Sequence, residues 1–203
     1  REKAIALCPD LNTKDLVGCV TFYDGEMDES LLGRWMLKNA KNAGIQIFED
    51  TPINSVSATG EITSSRLGLK VYDYIINAAG PWAEQINKKS GIAGDHSVDL
   101  VRGSHLLANT DLKNPYLFQE AKGNRIVFVL PYLGKTLIGT TEVSQALVEE
   151  IKCSDEERSY LIDIYNNNFR QQISSEDIIS SFSGLRAIVS GRNSNLSMAS
   201  RES

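Results

Sequence analysis

Three short segments gather the residue types that bind anions or move protons. Arg102-Gly103-Ser104-His105 sits inside an otherwise alternating apolar and polar run, with the glycine interrupting it. Glycine within a strand marks close approach of another group. His105 titrates near neutral pH and suits hydrogen bonding to an oxygen or taking its proton, although a lone histidine is more often a satisfied structural residue. His96 lies in a polar turn and is assigned no role. Gly184-Leu185-Arg186 follows an apolar strand pattern, and Arg201 closes a second polar segment. Arginine is a fixed cation with a planar fork of donors suited to phosphate or carboxylate, yet an isolated one is usually a solvated surface group. Ile138-Gly139-Thr140-Thr141-Glu142 adds hydroxyls after a strand, which a plain turn explains equally well.

Other chemistries find no support. No GxGxxG or GxxxxGK[ST] loop is present, so the chain alone should not hold a dinucleotide tightly. Two histidines and scattered serines give no nucleophile arrangement. Cys8, Cys19 and Cys153 are odd in number and lack CxxC spacing, which argues for reduced thiols in a cytosolic protein and against a disulfide framework or a metal site. The net charge of −5 without clustered Lys and Arg argues against nucleic acid as a partner. No apolar stretch approaches the ~20 residues of a membrane span.

The elements that must position these residues follow from periodicity. Residues 1–8 read as the tail of a helix stopped by Pro9, and 17–23 alternate as a half-buried strand does. Acidic residues early, apolar residues from Leu31 to Leu37, basic residues late and Gly44 at the stop predict a helix within 24–44. Strands are expected from Ile45 through residue 58, in a hairpin-like stretch around 60–70, and at Tyr74-Ile75-Ile76, a buried strand ending in the small residues Ala78, Ala79 and Gly80. The texture turns strand-rich after Gly94. A helix follows at SDEERSYLIDIYNNNF, with a serine cap and an acidic first turn.

Taken in order, YDGEMDESLL, INAAGPWA, RGSH, RIVFVLPYLGKTLIGTTE, SDEERSYLIDIYNNNF, the strand ending SFSGLR and the terminal SRE resemble the bacterial FAD-dependent glycerol-3-phosphate dehydrogenases of the D-amino-acid-oxidase-like superfamily. The resemblance implies an α+β fold, in which an α/β flavin-domain portion joins a mainly antiparallel substrate domain with flanking helices. It divides the chain into a linker or substrate-domain portion at 1–23, a partial FAD-binding domain at 24–93, and a substrate-binding cap at 94–203. His105, Arg186 and Arg201 match substrate-pocket residues, with His105 and Arg186 in catalytic roles. Val56, Ala78, Ala79 and Gly80 match positions along the adenosine and pyrophosphate side of FAD. One departure stands out: Ala187 follows Arg186 where the family commonly has proline, which puts the local loop shape in doubt and with it substrate selectivity.

The implied reaction oxidises sn-glycerol 3-phosphate to dihydroxyacetone phosphate and passes electrons through FAD to quinone. The implied location is cytoplasmic and peripheral on the inner membrane. Both ends read as cuts, with the glycine fingerprint expected before Arg1, so the piece alone is expected to be inactive and to lack bound FAD. Uncovered flavin-domain surface would favour association, with a homodimer among the expectations. The rival readings are another oxidase of the superfamily, acting on a 2-hydroxy acid or glycine, and a non-catalytic anion-binding module.

Overall fold

The computed structural model describes residues 2–14, 16–94, 96–120 and 125–190. Its helices are α1 (Glu2–Leu7), α2 (Glu29–Asn42), α3 (Ala83–Lys89) and α4 (Asp155–Asn168). Its strands are β1 (Ile53–Val56), β2 (Glu61–Ser64), β3 (Gly68–Val71), β4 (Ser97–Ala108), β5 (Tyr116–Gln119), β6 (Ile126–Tyr132), β7 (Lys135–Gly139), β8 (Val143–Ser144) and β9 (Ile178–Ser190). This is an α+β chain, and it divides into two compact units. One contains Arg1–Gly18, Ala78–Glu84 and Gly94–Ser203; the other contains Cys19–Asn77 and Gln85–Ala93. No helix among the described residues is long and apolar enough to cross a membrane.

The first unit is organised by the long strand β4. One edge of β4 pairs with β9 over nearly its whole length, and the other edge pairs with β7 and β8. The sheet continues through β6 to β5, every ladder antiparallel. Successive side chains of a strand point to opposite faces. Leu106 and Ala108 therefore share one face, where they join Val127, Val129 and Ile138 in the core. Helix α4 closes that core with Leu161, Ile162 and Tyr165. Tyr165 stacks on Phe169 with ring centroids 4.5 Å apart, and Tyr116 meets Phe169 edge-on at 5.0 Å. The predicted serine cap of α4 is in place: Ser154 accepts from the Glu157 N–H, and the Glu157 side chain accepts from the Ser154 N–H.

The second unit holds α2 and the antiparallel meander β1-β2-β3. Asp28 caps α2 by accepting from the Leu31 N–H at 2.9 Å, and Gly44 ends it at φ +81°. None of the α2 residues is buried. Gly60 is required twice over, by its φ of +87° and because a Cβ there would lie 2.0 Å from the Tyr72 carbonyl oxygen.

Three expectations fail in this unit and beside it. Residues 17–23 form no strand, and Val17 is 93% exposed. The Ile45–Ile47 stretch is not a strand either, since pairing begins only at Ile53. Tyr74-Ile75-Ile76 is not a buried strand: Tyr74 is 91% and Ile76 89% exposed. The physical reason is common to all three. Alternation or an apolar run marks a segment able to join a ladder, but a strand exists only where a neighbour takes its N–H and C=O groups. Among the described residues none pairs with these segments.

Candidate functional site

The β4–β9 register decides which polar residues meet. Val101 lies opposite Arg186, Gly103 opposite Gly184 and His105 opposite Phe182, so these six share one face of the sheet. Arg102, Ser104 and Leu106 point to the other. The Arg-Gly-Ser-His run is therefore split by parity into two sites.

On the first face, His105 stacks on Phe182 with ring centroids 4.9 Å apart and planes 10° from parallel. The Arg186 guanidinium lies over Gly103, where a Cβ would fall 2.6 Å from its Nη2 atom. That nitrogen donates to the Thr140 hydroxyl at 2.9 Å, and Nη1 donates to the Thr141 carbonyl at 3.4 Å. Gly139 makes the matching clearance for the imidazole, since a Cβ there would lie 2.1 Å from His105 Cδ2. Two glycines thus form the floor on which the cation and the imidazole rest, which is the close approach that Gly103 suggested in the sequence.

Burial, and then the Arg186 charge, push the His105 pKa below its ordinary value of 6.5. Its Nδ1 is buried and has no hydrogen-bond partner among the described residues. A neutral imidazole with an unspent nitrogen can accept a proton or hydrogen bond from a hydroxyl. The guanidinium beside it supplies a fixed positive charge for an anion.

The opposite face carries a network that the sequence reading did not anticipate. Glu157, on α4 and only 5% exposed, forms an ion pair with Arg102 at 2.8 Å. Its Oε1 accepts from the Ser104 hydroxyl at 2.9 Å and from the Thr141 hydroxyl at 2.5 Å. Ser104 is in turn 2.8 Å from the Ser183 hydroxyl, and Arg102 also reaches Gln145. Burial alone would raise the Glu157 pKa, but the Ser154 N–H, Thr141, Ser104 and Arg102 together hold the carboxyl below its ordinary value. The available signal was the four-residue spacing of Glu157, Leu161 and Tyr165, which puts the carboxylate on the buried stripe of the helix.

The remaining candidate residues lie elsewhere. Arg201 falls outside the described residues. Val56, in β1, donates its N–H to the Ser90 hydroxyl at 2.9 Å within the second unit. Ala78, Ala79 and Gly80 belong to the first unit, where Gly80 begins a 3-10 turn through Trp82 that lies against β9. Gly80 has φ +53°, and a Cβ built on it meets no heavy atom within 4 Å. Open space therefore lies beside the Gly80 backbone.

Comparison with known proteins gives the geometry its context. D-erythritol 1-phosphate dehydrogenase of Brucella abortus is 30% identical over 199 residues, covering 89% of this chain and 38% of that protein. The aerobic glycerol-3-phosphate dehydrogenase of Escherichia coli is 32% identical over 119 residues, or 56% of this chain and 24% of that protein. The structure of the glycerol-3-phosphate dehydrogenase from Bacillus halodurans, complexed with FAD, superposes with a TM-score of 0.84 at 24% identity, over 94% of this chain and 41% of that one. That likeness shows the fold. The chain spans well under half the length of these relatives. The FAD dependent oxidoreductase family matches residues 1–201, and the chain belongs to that family.

Proposed function

We propose that this chain supplies the substrate-facing sheet of a flavin-dependent dehydrogenase that oxidises sn-glycerol 3-phosphate at C2 to dihydroxyacetone phosphate. The observation that carries the reading is the placement of the His105 imidazole beside the Arg186 guanidinium on one face of the paired strands β4 and β9. His105 would hydrogen-bond the C2 hydroxyl or assist its deprotonation, and Arg186 would neutralise the substrate phosphate or the developing C2 oxyanion. Arg201 would share the anion-binding task. The relatives' names support a phosphorylated polyol over an amino acid or a 2-hydroxy acid.

FAD, when bound, supplies the two-electron acceptor. The residues fit its approach: Ala78, Ala79 and Gly80 offer small side chains and a backbone with open space beside Gly80. Val56 would contribute from β1. We assign residues 24–93 to the flavin domain and 94–203 to the substrate cap. The separate clustering of residues 19–77 and 85–93 supports this division, whereas Ala78–Glu84 cluster with the unit that carries the β4 sheet. Electron transfer to quinone, peripheral attachment at the cytoplasmic side of the inner membrane and a homodimeric state belong to the same proposal.

A second reading is a longer polyol phosphate, favoured by the 30% identity to the erythritol 1-phosphate enzyme. The missing proline bears on it, because Ala187 to Ser190 continue the pairing of β9 with β4 beyond Arg186. Proline at 187 would remove one backbone donor from that stretch.

The test is dye reduction by the full-length flavoprotein with glycerol 3-phosphate, erythritol 1-phosphate and glycine in turn. Arg186→Ala is expected to keep bound FAD and lower kcat/KM by about 10²–10³, the size of losing a charged contact to a developing oxyanion. A colourless protein, or turnover of glycine alone, would overturn the assignment.

A further inference from the structure

We propose that Glu157 is a positioning residue for Arg186, acting through Thr141 and Thr140 from the far side of the sheet. This rests on the reading of Arg186 as the anion-contacting group. An ionised carboxylate only accepts, so the Ser104 and Thr141 hydroxyls must both donate to Glu157 Oε1. With its own proton committed, the Thr141 hydroxyl oxygen accepts from the Ser104 N–H at 2.9 Å. Ser183 must then donate to Ser104. The carboxylate leaves no hydroxyl of the cluster free to rotate.

The ordering passes through the backbone to the other face. The Thr141 carbonyl accepts from the Thr140 hydroxyl at 3.3 Å and from Arg186 Nη1 at 3.4 Å. The Thr140 proton is thereby used, and its oxygen accepts from Arg186 Nη2 at 2.9 Å. The guanidinium is held by two residues whose placement is set by the side chain of one, and that side chain is anchored on α4. Glu157 has a local task as well, closing the capping box with Ser154. A capping box alone would leave its carboxylate free to face water, whereas here it is buried against the sheet. Arg102 pairs with the same carboxylate, so the influence on Arg186 is geometric and not a matter of net charge.

Thr141→Val removes the donor to Glu157 at nearly constant volume, and Thr141→Ser restores it. Glu157→Gln replaces one accepting oxygen with a donor among donors. The first readout is the rate at which phenylglyoxal modifies Arg186 in the full-length flavoprotein, read by peptide mass spectrometry with no substrate present. Releasing one hydrogen-bonded anchor should raise that rate about fivefold in Thr141→Val and Glu157→Gln, with Thr141→Ser matching the parent. The second readout is kcat/KM for glycerol 3-phosphate: Thr141→Val should lower it about fivefold in the parent and leave it unchanged when added to Arg186→Ala. Unaltered labelling in Thr141→Val, or an undiminished kinetic effect in the Arg186→Ala background, would overturn the proposal. Should the parent not turn over glycerol 3-phosphate, the function reading falls and the labelling rates alone decide the positioning role. If Glu157→Gln does not fold, as far-UV circular dichroism would show, the two Thr141 variants carry the test.

Discussion

At the scale of single residues, burial withholds solvent from the His105 imidazole and leaves its Nδ1 without a hydrogen-bond partner among the described residues. Burial is the larger influence on its pKa and the Arg186 charge the smaller, and both disfavour the imidazolium. The folded pKa therefore lies below the unfolded value near 6.5. Between those two pH values the unfolded chain binds more protons, so folding stability falls as pH drops through that window. An NMR titration of the His105 Cε1–H should give a midpoint below 6.5, and Arg186→Gln should move it upward only part of the way, because burial remains. A midpoint at or above 6.5 would contradict the reading of His105 as a neutral acceptor. The sequence carried this much: residue types able to do the chemistry, and a glycine next to them. That His105 and Arg186 belong together came from the family resemblance, because the 80 residues between them say nothing of register until β4 and β9 are paired.

At the scale of elements, helix α4 and helix α2 are both 14 residues long and both properly capped, yet they hold the fold unequally. Local signals explain why both were legible: Ser154 with Glu157 three residues on, and Asp28 with Gly44 at the far end. What those signals do not report is what each helix packs against. Leu161 is fully buried among Leu106, Val129, Ile138 and Tyr165, whereas Leu31 is 60% exposed. Leu161→Ala should cost about 2–5 kcal/mol, the range for cavity formation in a closed core. Leu31→Ala should stay within about 0.5 kcal/mol. Urea unfolding of both variants checks the contrast, and equal losses would mean that α2 is packed as firmly as α4. The strands divide in the same way. β2 and β3 were legible because their turn is encoded locally at 65–67, while the alternation at 17–23 encoded no partner. The network around Glu157 was the least legible element of the site, since its members come from β4, β9, α4 and the segment after β7.

At the scale of the molecule, apolar burial is concentrated in one unit. Every residue of the main core cluster lies within the unit that carries the β4 sheet. The second unit exposes Trp35, Met36, Tyr74 and Ile76, and its α2 buries nothing. Local opening requires little free energy where few apolar contacts must be broken, so protection against hydrogen exchange should follow this division. In the 203-residue chain, amides of β4, β7 and β9 should exchange slowest, and those of α2 should exchange orders of magnitude faster despite its complete capping. Mass spectrometry of exchanged peptides resolves the two regions directly. Equal protection of α2 and β4 would mean that the apolar stripe from Leu31 to Leu37 is covered in solution, and that the exposed face is where this chain joins a surface of its own kind or of the rest of its protein. Fast exchange confined to the second unit would place the stability of the site in the sheet and in α4, where the contacts of His105, Arg186 and Glu157 are made.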